Sequence, residues 1–315
     1  MKKVLRKLFD FLLGILIVPL GYIILQYKKR GPINHPFTTS ILQKIGIFPI
    51  MDHYYEPKFN FSSREKINYK QRYLNSINMN SNKQLKLLNK LKFSKEIVNL
   101  NFNKKTDNFG FYLKNGSFEE CDSEIYYQIL RYFKPKKVVE IGSGYSTLVC
   151  LEANKKNFDE NNLKTKLTCI EPFENKWLKD YGVKVIRKKL EDINIDWKNE
   201  FKKNDIIFLD SSHIIRPNGD VLKFFLEILP QLSSGVIVHI HDIFTPRNYR
   251  SDWIFKLFRL WNEQYILEAI LANSKNYEVM LSLNFLKKKF YRQLKPKAPN
   301  LKKSSEPSSI YLKVL

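Results

Sequence analysis

Cysteine is scarce. The chain has three in 315 residues, Cys121, Cys150 and Cys169, an odd number with no C-x-x-C spacing. This argues against a disulfide framework or a zinc ribbon and makes a reducing compartment the expectation. Arginine is scarce too: it supplies 11 of the 54 Lys+Arg, leaving 43 lysines, and no arginine-rich cluster interleaved with aromatics occurs. For a net charge of +23, nucleic acid is therefore not expected as a partner. An anionic membrane surface is the stronger of the two attractions, and lysine spread over solvated faces is the bland alternative. No internal repeat is visible. What is present, 43% hydrophobic, 14% aromatic and 27% charged residues, matches a packed globule long enough for one large domain, alone or with an appendage.

Long apolar runs are confined to the N-terminus. Residues 11–25 carry no charge, with Lys2, Lys3, Arg6 and Lys7 before them and Lys28, Lys29 and Arg30 after. As a helix the run spans ~22 Å, or ~27 Å counted back to Leu8, against a hydrocarbon core of ~30 Å. No small-residue cleavage site follows, so residues 1–30 read as a membrane anchor, either a short span or a helix lying in the interface, with lipid as its partner. A buried core helix is the alternative. Residues 31–118 read as a mostly helical N-terminal extension with candidate helices around Leu85, Leu88, Leu91 and Ile97. Its segment 48–57, holding His53, Tyr54 and Tyr55, is either a tail packed on the main domain or a lid.

From residue 119 the chain alternates as an α/β domain. Helices are expected over 123–133, from 145 to about 154, over 221–229 and twice within 253–272. Strands are expected at 138–141, 167–170, 183–186, 206–209, 236–240, 277–282 and 309–315. The lysine-rich stretch between the last two reads as an exposed basic connection. The pattern predicts a Rossmann-like, doubly wound seven-stranded sheet over 119–315, ending in an antiparallel strand pair.

A strand ending in an acid, then Gly142-Ser143-Gly144, then a helix is a nucleotide-type site, because glycines admit a ligand to the backbone and the helix start offers free N–H groups. Thr147 stands where a dinucleotide fingerprint needs glycine, which disfavours a NAD-dependent oxidoreductase. A second constellation is Asp210-Ser-Ser-His213 after the fourth strand and His239-Ile-His241-Asp242 after the fifth. Adjacent parallel strands would bring these ends together in the ligand-binding crevice.

The stretch 138–147, VVEIGSGYST, resembles the first motif of class I S-adenosylmethionine-dependent methyltransferases. The resemblance implies S-adenosyl-L-methionine as cofactor. Its methionine part would lie on Glu140, Gly142, Ser143 and Gly144, with Ser146 replacing the usual third glycine. Its ribose hydroxyls would lie on Glu171 and its adenine near Glu191. The strand-end cluster is similar to that of the metal-dependent O-methyltransferases in the same superfamily. That likeness implies Asp210, His241 and Asp242 as catalytic residues and ligands of a divalent cation, and His213 as base. His241 stands where an acid is usual, which would suit a transition metal better than magnesium. The segments 35–38, 52–57, 210–243 and 261–265 together resemble a bacterial group of class I methyltransferases, some encoded near surface-polysaccharide genes. The function expected is methyl transfer to an oxygen of a small-molecule, glycan or lipid-linked acceptor at the membrane, with the catalytic domain on the cytoplasmic side. The alternative is an inactive, membrane-tethered binding protein on the same fold.

Overall fold

The computed structural model describes residues 2–57, 72–102, 110–173 and 175–315. The chain falls into two compact units, Met1–Ile67 and Asn68–Leu315. The expected extension is thus divided: its first part belongs to the smaller unit, and its remainder folds with the larger.

In the smaller unit, α1 (Lys2–Arg30) runs through the whole apolar stretch and its basic flanks. Its most apolar 18-residue window has a mean hydropathy of 2.4, none of it is buried, and the helix is long and apolar enough to cross a membrane. After Pro32–Asn34, α2 (Pro36–Ile45) begins on a helix-compatible proline and stops at Gly46, whose left-handed backbone closes it. In this unit the Tyr55 ring meets His53 at a tilt and Tyr54 edge-on, with centroids 5.6 and 5.4 Å apart.

The larger unit is a seven-stranded sheet in the order β3-β2-β1-β4-β5-β7-β6. Its strands are β1 (Lys137–Ile141), β2 (Lys166–Ile170), β3 (Lys184–Ile186), β4 (Ile206–Leu209), β5 (Ile237–Ile240), β6 (Tyr277–Ser282) and β7 (Ile310–Val314). β7 runs antiparallel to both neighbours, β5 and β6. Strand alternation sends Val138, Phe208 and Tyr311 into one apolar layer and Val139, Ile207, Leu209 and Val238 into the other. The first layer is covered by α3 (Ser81–Lys90), α4 (Ser94–Leu100), α5 (Asp122–Phe133) and α6 (Tyr145–Asn161). The second is covered by Glu263–Asn273 and by the helical run from Asp220 to Gln231, which widens into a π-type turn over Lys223–Ile228. Leu88, Leu91 and Ile97 are fully buried in the first layer, so the candidate helices of the extension are core elements of this unit.

One expectation is overturned. The connection between β6 and β7 is not simply exposed and basic: it forms Leu283–Lys289 and Tyr291–Leu294 and buries Leu286, Leu294, Ala298 and Leu301. Lys287 is itself buried and donates to Glu306 at 3.1 Å. The apolar residues are interspersed among lysines, so a charge count hides a face that packs.

Sheet register sets up the functional end. Ile141 pairs with Leu209 and Leu209 with Ile240. The ladder continues one step beyond the strands, through Asp210 N to Ile141 O at 2.8 Å and His241 N to Leu209 O at 3.0 Å. Gly142, Asp210 and His241 therefore stand level, where the strand order turns outward from β1 and β4. Gly142 has φ +78°, and a Cβ there would lie 1.7 Å from the Asp210 carbonyl oxygen, so only glycine fits against β4.

Candidate active site

A cavity of about 430 Å³ opens at the carboxyl ends of β1, β2 and β4. Gly142, Glu171, Glu191 and Asp210 line it together, with Phe173 on its wall. Glu171 follows β2 and is held in place by backbone donors: Ser143 N reaches its Oε2 at 3.2 Å and Phe173 N its Oε1 at 3.1 Å. Gly144 precedes α6 with its N–H bonded to Thr147 Oγ1 at 3.1 Å, so the threonine standing where a dinucleotide fingerprint has glycine serves as a local cap.

Glu140 points away from this cavity, into the layer between the sheet and α5. It accepts from Tyr126 Oη at 3.1 Å and from Thr147 Oγ1 at 2.5 Å and is fully buried. Burial pushes its pKa up to about 7, against the hydroxyls that favour the ionised form.

Beyond Asp210 lies a network of acids and imidazoles. Asp210 Oδ1 is 3.3 Å from His213 Nε2 and 3.3 Å from His241 Nδ1. Asp242 lies 3.6 Å from His213 Nε2 and 3.5 Å from His241 Nδ1. Glu263 Oε2 meets His213 Nδ1 at 2.8 Å, and Trp261 lies on the His213 ring, centroids 4.2 Å apart. Burial alone would lower the pKa of both histidines, but the surrounding carboxylates win. His213 is held well above the ordinary histidine value, and His241 is pushed up to about 10, chiefly by Asp242 and Asp210. Asp210 is correspondingly held far below the usual carboxylate range: burial opposes this, but His241 and His213 outweigh it. Both His213 and Asp242 adopt positive φ, 60° and 59°. Such backbone costs about 1 kcal/mol or more for a side chain with a Cβ and is typical of functional loops.

Asp242 and His241 also line a second cavity of about 460 Å³, with Asp122, Trp253, Arg259 and Lys302 among its walls. Asp210 thus lines one cavity, while its partner His241 lines the other. Asp210, His241 and Asp242 each offer a ligand atom within 4.8 Å of the others, and His241 Nδ1 is buried without a full hydrogen bond. One imidazole nitrogen and two carboxylates form a donor set that a divalent transition metal accepts.

Residues 139–243 match the family described as "Methyltransferase domain". The match covers a third of the chain, from β1 to just past β5, and is a likeness to a methyltransferase domain. An Archaeoglobus fulgidus protein named only "Uncharacterized protein" is 28% identical over 101 residues, 30% of this chain and 44% of its own length, so this chain spans less than half of that relative. Two solved structures are similar in shape. The Bacillus cereus O-methyltransferase in complex with SAH matches at 12% identity over 74% of this chain and 90% of its own, TM-score 0.40. The mitomycin 7-O-methyltransferase MmcR matches at 12% identity over 61% of this chain and 54% of its own, TM-score 0.36.

Within the matched stretch, Gly142, Glu171, Glu191 and Asp210 meet at one cavity, and His213, His241 and Asp242 meet beside it. Ser143 and Ser146 are buried at the glycine turn, and Glu140 stands behind it. Three members of the network carried no role in the sequence reading. Asp122 accepts from the backbone N–H groups of Ser308 and Ser309 and lies 3.9 Å from His241. Ser308 donates to Asp242 at 2.9 Å. Glu263 anchors His213, and its one sequence signal is that it falls within the 261–265 stretch of the bacterial group. Asp122 and Ser308 left no comparable signal.

Glu140 provides a stability test. Its folded pKa is raised, so the native state binds the extra proton between about pH 4.5 and 7 and stability falls as pH rises through that window. Glu140→Gln is expected to flatten the fall and to gain roughly 1–3 kcal/mol over wild type at pH 8. Chemical denaturation at pH 5 and pH 8 measures it, and the same pH dependence in both proteins would contradict this placement.

Proposed function

We propose that the protein is an S-adenosylmethionine-dependent O-methyltransferase acting on an acceptor hydroxyl at a membrane. The observation that carries this reading is Asp210: it lines the cavity of Gly142, Glu171 and Glu191 and at the same time contacts His241 at the second cavity. In this reading the cofactor occupies the first cavity, with its ribose hydroxyls on the Glu171 carboxylate, which can accept both. The acceptor occupies the second. When bound there, the cofactor would supply an activated methyl group to the acceptor oxygen, leaving as its demethylated thioether, and the protein's part would be to align the acceptor and receive its proton. Asp242 lines the acceptor cavity and is the group that takes the proton, while His241, held protonated beside it, keeps Asp210 and Asp242 in place. His213 is enclosed by Glu263, Trp261, Asp210 and Asp242, and holds the two aspartates in register from behind.

A second reading is favoured by the buried His241 Nδ1. Asp210, His241 and Asp242 would hold a divalent cation, which would lower the pKa of an acceptor hydroxyl when bound. Residues 1–30 would tether the enzyme, with the catalytic domain on the cytoplasmic side; their basic flanks and exposed apolar helix support this. The acceptor class proposed is a small molecule, a glycan or a lipid-linked compound.

Two measurements test the proposal. Glu171→Ala is expected to weaken S-adenosylmethionine binding by roughly 2 kcal/mol in calorimetry, since two charge-assisted hydrogen bonds are lost. Equal affinity would remove Glu171 from the site. With a catechol-like surrogate acceptor, Asp242→Asn is expected to lower transfer by roughly 10²–10⁴ while cofactor affinity holds. If chelator does the same and added metal restores the rate, the cation reading stands. If chelator has no effect, the two histidines and two aspartates act alone, and full activity of Asp242→Asn removes the cluster from the reaction.

A further inference from the structure

The smaller unit carries an apolar surface that α1 does not account for. On α2, Phe37, Ile41 and Ile45 are 78%, 44% and 60% exposed and recur every four residues along one side. Ile33 before them and Ile47 and Phe48 after them are exposed as well. Lys44 flanks the stripe, while Ser40 and Gln43 are exposed on another side of the helix. In water such a run would be costly.

The position of α2 along α1 tells what covers it. Tyr27 is the buried residue of α1; its hydroxyl bonds Thr39 of α2 at 2.8 Å, and its ring meets that of His35 at 5.9 Å. α2 is therefore fixed beside the last turns of α1, level with the step from apolar residues to Lys28, Lys29 and Arg30. A shallow cleft of about 390 Å³ lies at the same level, lined by Tyr22, Gln26, Arg30, His35 and Thr38, and within it His35 Nε2 is buried without a partner. Tyrosine, arginine and a free imidazole nitrogen at that depth suit lipid phosphates.

We propose that α2 and residues 46–50 form a collar seated in the headgroup–acyl boundary of an anionic phospholipid bilayer. Phe37, Ile41, Ile45 and Phe48 dip into the acyl edge, Lys44 reaches up to the headgroups, and the Arg30–His35 cleft faces the phosphates. This rests on the reading of α1 as a membrane anchor. The collar adds a second contact that fixes the smaller unit against the bilayer surface and stops it from turning about a single helix.

The test uses the full chain in phosphatidylcholine–phosphatidylglycerol vesicles. The three native cysteines are buried, so single surface cysteines at 37, 41, 45, 40 and 43 can be spin-labelled selectively, with one at position 17 reporting on α1. Nitroxides at 37, 41 and 45 are expected to collide more with oxygen than with a water-soluble nickel chelate, as at 17, and those at 40 and 43 to show the reverse. Lipid exposure at 17 with water exposure at 37, 41 and 45 would overturn the collar and leave the anchor standing. Water exposure at 17 as well would overturn both. Protection of 37, 41 and 45 from both reagents would give the stripe to a protein partner and also overturn the proposal.

Discussion

The site depends on how β4 lies against its neighbours. Parallel pairing places Gly142, Asp210 and His241 at one height, and the approach of the β1 turn to the Asp210 carbonyl leaves no room for a side chain at 142. This single register brings a glycine turn, a carboxylate and an imidazole from three strands to one edge. A one-residue slip of β4 or β5 would turn Asp210 or His241 to the opposite face and dissolve the arrangement.

Around that edge the protein holds an unusual density of buried charge. Asp122, Asp210, Asp242 and Glu263 surround His213 and His241, all but Asp210 nearly inaccessible. Burying such groups singly would cost several kcal/mol each, and mutual pairing offsets this only when geometry is tight. Two backbone positions in the left-handed region, His213 and Asp242, are part of that geometry. The tight pairing explains why His213, expected as the base, is proposed to act as a positioning residue: both ring nitrogens already face carboxylates.

Much of this was legible in the sequence, for local reasons. The strands show as short apolar runs, Glu171 follows its strand directly, and the two motifs after β4 and β5 meet because consecutive strands in this order are neighbours. What was not legible is tertiary. Asp122 and Ser308 reach the cluster from positions 186 residues apart, bonded to each other. Glu140 sits on the inward side of β1, which alternation permits but no local pattern announces. The lysines between β6 and β7 hid an apolar face because charge and burial alternate there within a single turn.

The central claim is that one edge of the sheet holds a cofactor cavity and an acceptor cavity joined at Asp210. Its most direct test is a crystal structure of the protein with bound S-adenosylhomocysteine. The account predicts the ribose hydroxyls on Glu171, the adenine near Glu191, and the sulfur turned towards Asp210 and the cavity of His241 and Asp242. A ligand bound elsewhere, or bound with its sulfur facing away from Asp210, would contradict it.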